Sequence, residues 1–123
     1  VLFSILEKWQ EGRQWGSFLD AGTGVHSLKW VINLNTSSWT AITADYNMKR
    51  EIESQSGIIV RSQDRILVGN WMDEQFCSQL GKFDTILADY LIGAVDGFSP
   101  YTQDIIIEKL KNHLNPGGRI YII

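Results

Sequence analysis

Short apolar runs alternate along the chain with segments whose apolar residues recur at helical spacing. Ser17-Phe18-Leu19-Asp20-Ala21 reads as a first strand, stopped by Gly22-Thr23-Gly24. Behind it Val25, Leu28, Val31 and Ile32 follow at steps of three, three and one, the pattern of an amphipathic helix. Asn33 to Ser38 makes a polar loop before a second strand, Trp39-Thr40-Ala41-Ile42-Thr43-Ala44-Asp45, and a charged helical stretch from Asn47 to Ser54 that ends near Gly57. The third strand is Arg65-Ile66-Leu67-Val68, which closes on Gly69-Asn70 ahead of a brief helix around Glu74 to Leu80. Phe83-Asp84-Thr85-Ile86-Leu87-Ala88-Asp89 is the fourth, and its continuous apolar centre fits burial on both faces. A long loop with Gly93, Gly97 and Pro100 leads to a helix from about Tyr101 to Leu114, with Ile106, Ile107, Leu110 and Leu114 on one face. Asn115-Pro116-Gly117-Gly118 should stop it, because proline cannot continue a helix and glycine accepts left-handed angles. Strand five is then Arg119-Ile120-Tyr121-Ile122-Ile123. Residues 1–14 are expected to form a helix on the sheet edge with Leu2, Ile5, Leu6 and Trp9 inward. Such alternation of strand and helix predicts βαβ units and a largely parallel sheet, an α/β fold.

Composition narrows the class. A chain of 123 residues is one domain, and 44% hydrophobic against 20% charged residues is the make-up of a folded core. Eleven Lys and Arg against fourteen Asp and Glu give a net charge of −3, so neither nucleic acid nor an anionic membrane is an expected partner. Cys77 stands alone, which excludes an internal disulfide and makes a reducing, cytoplasmic setting the default. Without neighbouring basic residues it reads as a small buried hydrophobe. No Cys/His cluster has metal-ligand spacing, so no metal is expected. No apolar run approaches the roughly 18 residues that span a bilayer. The five tryptophans lack interleaved basic residues and are assigned to core and edge packing rather than to stacking on bases.

The residues that suggest chemistry gather at predicted strand ends. In open α/β sheets, ligands bind outside the carboxyl ends of the strands, where strand order reverses. Asp20, Gly22, Gly24, Asp45, Asn70 and Asp89 all lie at or just after such ends. Gly22-Thr23-Gly24 permits a tight turn, close backbone approach and anion capture at the start of the next helix; a bare turn of this kind is also an ordinary βα connection. Asp45 lies 21 positions after Gly24, the offset at which a second-strand acid meets ribose hydroxyls, and it is also a good helix N-cap. A dinucleotide site wants a third glycine at position 27, where this chain has Ser27. Asp20 would be repelled by a pyrophosphate but suits a ligand that carries an ammonium and a sulfonium.

With these residues in view, the chain resembles the class I S-adenosylmethionine (SAM)-dependent methyltransferases. Phe18-Leu19-Asp20-Ala21-Gly22-Thr23-Gly24 is similar to that family's first motif, and Ile42-Thr43-Ala44-Asp45-Tyr46 to its second-strand acid. Val68-Gly69-Asn70-Trp71, Phe83 to Asp89, and Leu114-Asn115-Pro116-Gly117-Gly118-Arg119-Ile120-Tyr121 resemble the later motifs, in order, across residues 17–123. The resemblance implies a Rossmann-like three-layer α/β/α sandwich with strand order 3-2-1-4-5, the family's last two strands being absent. SAM is the implied cofactor, and a single partial domain spans residues 1–123.

Residue by residue, the resemblance implies that Asp20 faces the methionine amino group through water. Gly22, Thr23 and Gly24 would lie under the methionine end, and Asp89 or carbonyls beside it would help hold its ammonium. Asp45 would accept both ribose hydroxyls, with Tyr46 against the adenine. Asn70 would take the adenine amino group, and the Trp71 backbone N–H a ring nitrogen. Two positions depart from the family pattern: His26 stands where a third glycine is common, and Asn70 where Asp is common. Two placements fit His26, one at the methionine carboxylate and one in solvent on the first helical turn. Asp89-Tyr90-Leu91 lacks the Asn-Pro-Pro-Tyr pattern of many amino-directed DNA and protein methyltransferases, which favours a small-molecule acceptor. No catalytic base is assigned, and His113 is explained by the dipole at the end of the last helix. The competing readings are an NAD(P)-binding dehydrogenase-type domain and a non-catalytic SAM-binding or interaction module. The opening on Val1 and the ending inside a strand lead to the expectation that the natural chain extends beyond both.

Overall fold

The computed structural model describes residues 2–22, 25–88 and 102–122, with the side chains of residues 2, 25, 26 and 102–105 outside the description. Five strands form one all-parallel sheet: β1 (Gly16–Asp20), β2 (Thr36–Thr43), β3 (Arg65–Val68), β4 (Phe83–Ala88) and β5 (Leu114–Ile122). Their order is β3-β2-β1-β4-β5, as expected, with the chain reversing direction of travel across the sheet between β1 and β4. The helices are α1 (Leu2–Gln10), α2 (Val25–Val31), α3 (Tyr46–Ser54), α4 (Glu74–Ser78) and α5 (Thr102–Lys111).

Strand alternation divides the core between the two faces of the sheet. Leu19, Ala21, Ile42, Ile86 and Ala88 pack with Cys77 and Leu80 near α4 and with Ile106 and Leu110 of α5. Phe18, Trp39, Ala41, Ile66, Leu87 and Tyr121 pack with Leu6 of α1, Leu28 and Val31 of α2 and Ile52 of α3. Both faces of the central strands are therefore covered, which is why β4 reads as an unbroken apolar run.

Three boundaries differ from the sequence-based expectation for identifiable reasons. α1 ends at Gln10, not Gln14, because Glu11 (φ 52°) and Gly12 (φ 76°) turn left-handed and the Gln10 amide caps the Arg13 and Gln14 carbonyls at 3.3 and 3.1 Å. Leu6 is buried as expected, but Ile5 is 37% and Trp9 56% exposed, so the inward face of α1 is narrower than its apolar pattern. β2 begins at Thr36, inside the segment expected to be loop. An Arg61–Asp64 pair draws it in: Arg61 Nε lies 2.7 Å from Asp64, and its other nitrogens reach the Thr36 carbonyl (3.1 Å) and hydroxyl (2.9 Å). Asp64 is buried and also accepts from the Trp39 amide at 2.9 Å.

The third difference is in β5. Leu114 pairs with Phe83 and Arg119 with Thr85, so Asn115 to Gly118 form an irregular insertion opposite Asp84 within the strand rather than a stop before it. Asn115 Nδ2 donates to Asp84 at 3.0 Å, and Gly117 takes φ 80°. His113 is not explained by the helix dipole alone: it follows α5 and its Nδ1 donates to the Gly81 carbonyl at 2.7 Å.

Candidate functional site

The carboxyl ends of β3, β2 and β1 are neighbours, and they bring together most of the residues singled out in the sequence. Asp20 is the last residue of β1 and fully buried. Its Oδ2 accepts from the Ser27 hydroxyl at 2.9 Å, so the carboxylate is fastened to the first turns of α2. Ser27 entered the sequence reading only as a missing glycine; its seven-residue separation from Asp20, across a strand-to-helix turn, was the available signal. Ala21 closes the rim on the other side, its N–H donating to the Leu87 carbonyl of β4 at 2.9 Å. Gly22 follows, half-buried. Thr23, Gly24 and Asp89 lie outside the described residues. His26 is the second residue of α2, with its side chain outside the description.

At the end of β2, Asp45 is exposed and serves as the N-cap of α3. Its extended backbone (φ −126°, ψ 121°) aims Oδ1 at the Asn47 N–H, 2.8 Å away, satisfying one of the orphan donors of the first turn. The Asp45 N–H in turn donates to Thr43 Oγ1 at 3.2 Å. Tyr46 is 68% exposed, an aromatic ring left standing at the rim beside that carboxylate.

At the end of β3 the backbone N–H of Gly69 continues the ladder to the Thr43 carbonyl at 3.0 Å. Glycine is required here by space, since a Cβ would run into the Phe76 ring of α4. Asn70 is exposed; its Oδ1 accepts from the Met72 N–H at 2.9 Å and its carbonyl from the Asp73 N–H at 2.9 Å, which fixes a turn. The oxygen that the resemblance assigns to an adenine amino group thus already has one donor and keeps a second lone pair. Trp71 is buried, and its indole N–H reaches the Ala21 carbonyl at 2.7 Å. That bond was not legible in sequence, because the two residues are fifty positions apart and two strands distant.

Cys77 is buried as expected, its thiol donating to the Trp71 carbonyl at 3.3 Å. Burial pushes the thiol pKa up, which suits packing and not nucleophilic chemistry. Among the described residues no group of His, Cys, Asp and Glu is arranged to hold a metal ion, and no helix is long and apolar enough to cross a membrane.

Four of the five tryptophans are buried or half-buried in packing contacts, while Trp9 stands 56% exposed beside Tyr121. Trp15 and Trp39 are buried in the α1–α3 face, and Trp30 stacks on Phe3 with centroids 4.6 Å apart.

No protein-family model matches the sequence, and no curated protein is similar to it. Solved structures do match. A SAM-dependent methyltransferase from Clostridium acetobutylicum superposes with TM-score 0.72 at 20% identity, over 96% of this chain and 46% of that one. The glycopeptide N-methyltransferase MtfA, solved with SAM, gives 0.67 at 17% identity over 98% of this chain and 52% of that one. A TehB-like SAM-dependent methyltransferase from Corynebacterium glutamicum gives 0.68 at 17% identity over 97% and 59%. The chain spans about half the length of these structures. What it shares with them is the Rossmann-like fold of SAM-dependent methyltransferases, an all-parallel five-stranded sheet in the order 3-2-1-4-5.

Proposed function

We propose that this chain is the cofactor-binding part of a SAM-dependent methyltransferase. The observation that carries the reading is the convergence of Asp20, Gly22, Asp45, Tyr46 and Asn70 on the ends of three adjacent strands beside the point where strand order reverses. The residues fit the cofactor. Asp45 presents a carboxylate held in place by its cap bond, suited to ribose hydroxyls, and the exposed Tyr46 ring offers a face for adenine. Asn70 retains an acceptor for the adenine amino group, and the Trp71 amide follows it in the same turn. In this reading Asp20 and Asp89 would supply negative charge, and Gly22, Thr23 and Gly24 their backbone, to the methionine end; His26 at the start of α2 is the candidate for its carboxylate. Two features support SAM over a dinucleotide: Ser27 stands where a dinucleotide site wants its third glycine, and its hydroxyl bonds the Asp20 carboxylate, a negative charge unfavourable near a pyrophosphate.

Bound there, SAM supplies a methyl group on an already activated sulfonium. The chain's own work is then to hold and orient the cofactor so that an acceptor approaches in line. We assign no base. The acceptor in this reading is a small molecule, supported by the net charge of −3 and by Asp89-Tyr90-Leu91 in place of Asn-Pro-Pro-Tyr, and the protein works in the cytoplasm.

Titration of the protein with SAM and with S-adenosylhomocysteine by calorimetry tests the cofactor. Saturable binding is expected, about tenfold or more weaker in Asp45→Ala, which loses charge-assisted bonds to the ribose. A well-folded protein that binds neither compound would remove the reading. Labelled SAM incubated with the protein and a cell extract then identifies the acceptor by the species that becomes labelled.

A further inference from the structure

Trp71 is clamped at two points that belong to different parts of the rim. Its indole N–H donates to the Ala21 carbonyl at 2.7 Å, at the end of β1 and directly before the Gly22 turn. Its own carbonyl, two atoms from the Met72 N–H that Asn70 captures, accepts from the Cys77 thiol at 3.3 Å and from Lys109 Nζ at 3.0 Å. Lys109, from α5, is itself held by Glu74 of α4 at 3.2 Å. β2 lies between β3 and β1, so the indole bridges strands about 10 Å apart, two parallel-strand spacings. It packs in the same buried cluster as Ile42 of β2 and Leu19 of β1, and against His113 with ring centroids 5.9 Å apart.

We propose that Trp71 is a positioning residue that straps the adenine side of the cofactor site to its methionine side. The inference rests on the cofactor reading above and adds a role for a side chain that touches no ligand. The adenine-side turn is held from below by Cys77 and Lys109 on the Trp71 carbonyl. The methionine-side turn is held through the indole N–H, so the spacing between the two turns is set by one rigid aromatic body. A ligand that spans both turns benefits from that fixed spacing, because no ordering is left to accomplish on binding. A ligand that occupies one turn gains nothing from it.

Trp71→Phe keeps a ring in the cluster and deletes the indole N–H. Calorimetry of wild type and Trp71→Phe with S-adenosylhomocysteine and with adenosine separates the strap from mere structural support. S-adenosylhomocysteine is expected to weaken about tenfold and adenosine less than about twofold. Equal weakening of both ligands, or no weakening of either, overturns the strap while leaving the cofactor reading intact. Failure of the wild-type protein to bind S-adenosylhomocysteine overturns the cofactor reading and the strap with it.

If the variant does not fold, hydrogen exchange on the wild-type protein decides. Without ligand, the amides around Ala21-Gly22 and around Gly69 to Met72 are expected to show matched, slow exchange, because one buried side chain holds both turns. Fast exchange around Ala21-Gly22 beside slow exchange around Gly69 to Met72 overturns the proposal.

Discussion

In the proposed reading, Asp45 would serve fold and site together. Its Oδ1 caps α3 through the Asn47 N–H, which leaves Oδ2 for the ribose hydroxyls of that proposal. The two roles separate by substitution. Asp45→Ala should lower stability by about 1 kcal/mol in denaturant unfolding, whereas Asp45→Asn, itself a good cap, should change it by a few tenths. Both should weaken SAM in calorimetry, since neither retains the charge. An Asp45→Asn variant with wild-type affinity would show that the cap is the residue's whole purpose. At the opposite end of the sheet Asp84 joins three segments of the fold. It accepts from the Ser17 amide at 3.0 Å, from Asn115 at 3.0 Å and from the Ser17 hydroxyl at 3.2 Å, and these bonds hold its carboxyl below the ordinary carboxylate range. A pKa lower in the folded than in the unfolded state means stability that is fully present above the unfolded value, near 4, and lost as pH falls through the folded value. Asp84→Asn should therefore cost on the order of 1 kcal/mol at pH 7 after allowance for solvent screening, and much less at pH 2. Urea unfolding of both proteins at the two pH values measures this; a cost independent of pH would contradict it.

Among the elements, α4 and β3 are joined by a contact that leaves no room for change. The Phe76 ring lies where a Cβ on Gly69 would be, so Gly69→Ala must displace that ring from its place against β3. Overpacking of this kind costs about 1–3 kcal/mol, and the double variant Gly69→Ala with Phe76→Leu should recover part of it in thermal unfolding. β3 is also pinned at its start. Asp64→Ala would strip the acceptor from the exposed Arg61 and from the buried Trp39 amide and should cost about 1–3 kcal/mol in denaturant unfolding, the scale of leaving a buried donor unsatisfied. These contacts mark the limit of what the sequence discloses at this scale. Strand existence was legible, because Phe18-Leu19, Ala41-Ile42 and Ile86-Leu87 are short apolar runs between turn residues, whereas strand order came from the resemblance to the methyltransferase family. The early start of β2 was not, since Thr36 and Ser37 are polar and are held by Arg61 and Gln63, twenty-five and twenty-six positions away. Nor was the extent of β5, where Pro116 and Gly117 signal a stop and the Asp84 side chain instead holds Asn115 beside the strand.

For the molecule as a whole, the proposed rim residues could be singled out because they follow predicted strand ends that the sheet order brings together, even though Asp45 and Asn70 also cap a helix and fix a turn there. The bonds that rigidify the rim, Ser27 to Asp20 and Trp71 to Ala21, were not, because nothing local announces a side chain's long-range partner. The same contrast governs how the first helix closes the opposite side. Its apolar pattern points Ile5, Leu6 and Trp9 inward together, yet α1 is anchored at its carboxyl end, where Arg119 donates to the Trp9 carbonyl at 3.1 Å and Tyr121 donates to Gln10. That anchoring turns Leu6 into the core beside Phe18 and Leu28, and leaves Trp9 at the surface against Tyr121, centroids 6.4 Å apart. Two equally apolar positions therefore carry unequal loads. Leu6→Ala should cost about 2–5 kcal/mol in global unfolding, a transfer loss plus a cavity in the face shared by α1, α2 and β1. Trp9→Ala, removing a larger but half-exposed side chain, should cost about 1 kcal/mol or less. Denaturant unfolding of the two variants decides the matter: a Trp9→Ala loss equal to that of Leu6→Ala would mean that α1 buries the wider face its periodicity suggests, and that its contact with β5 is an additional support and not the constraint that sets the helix's rotation.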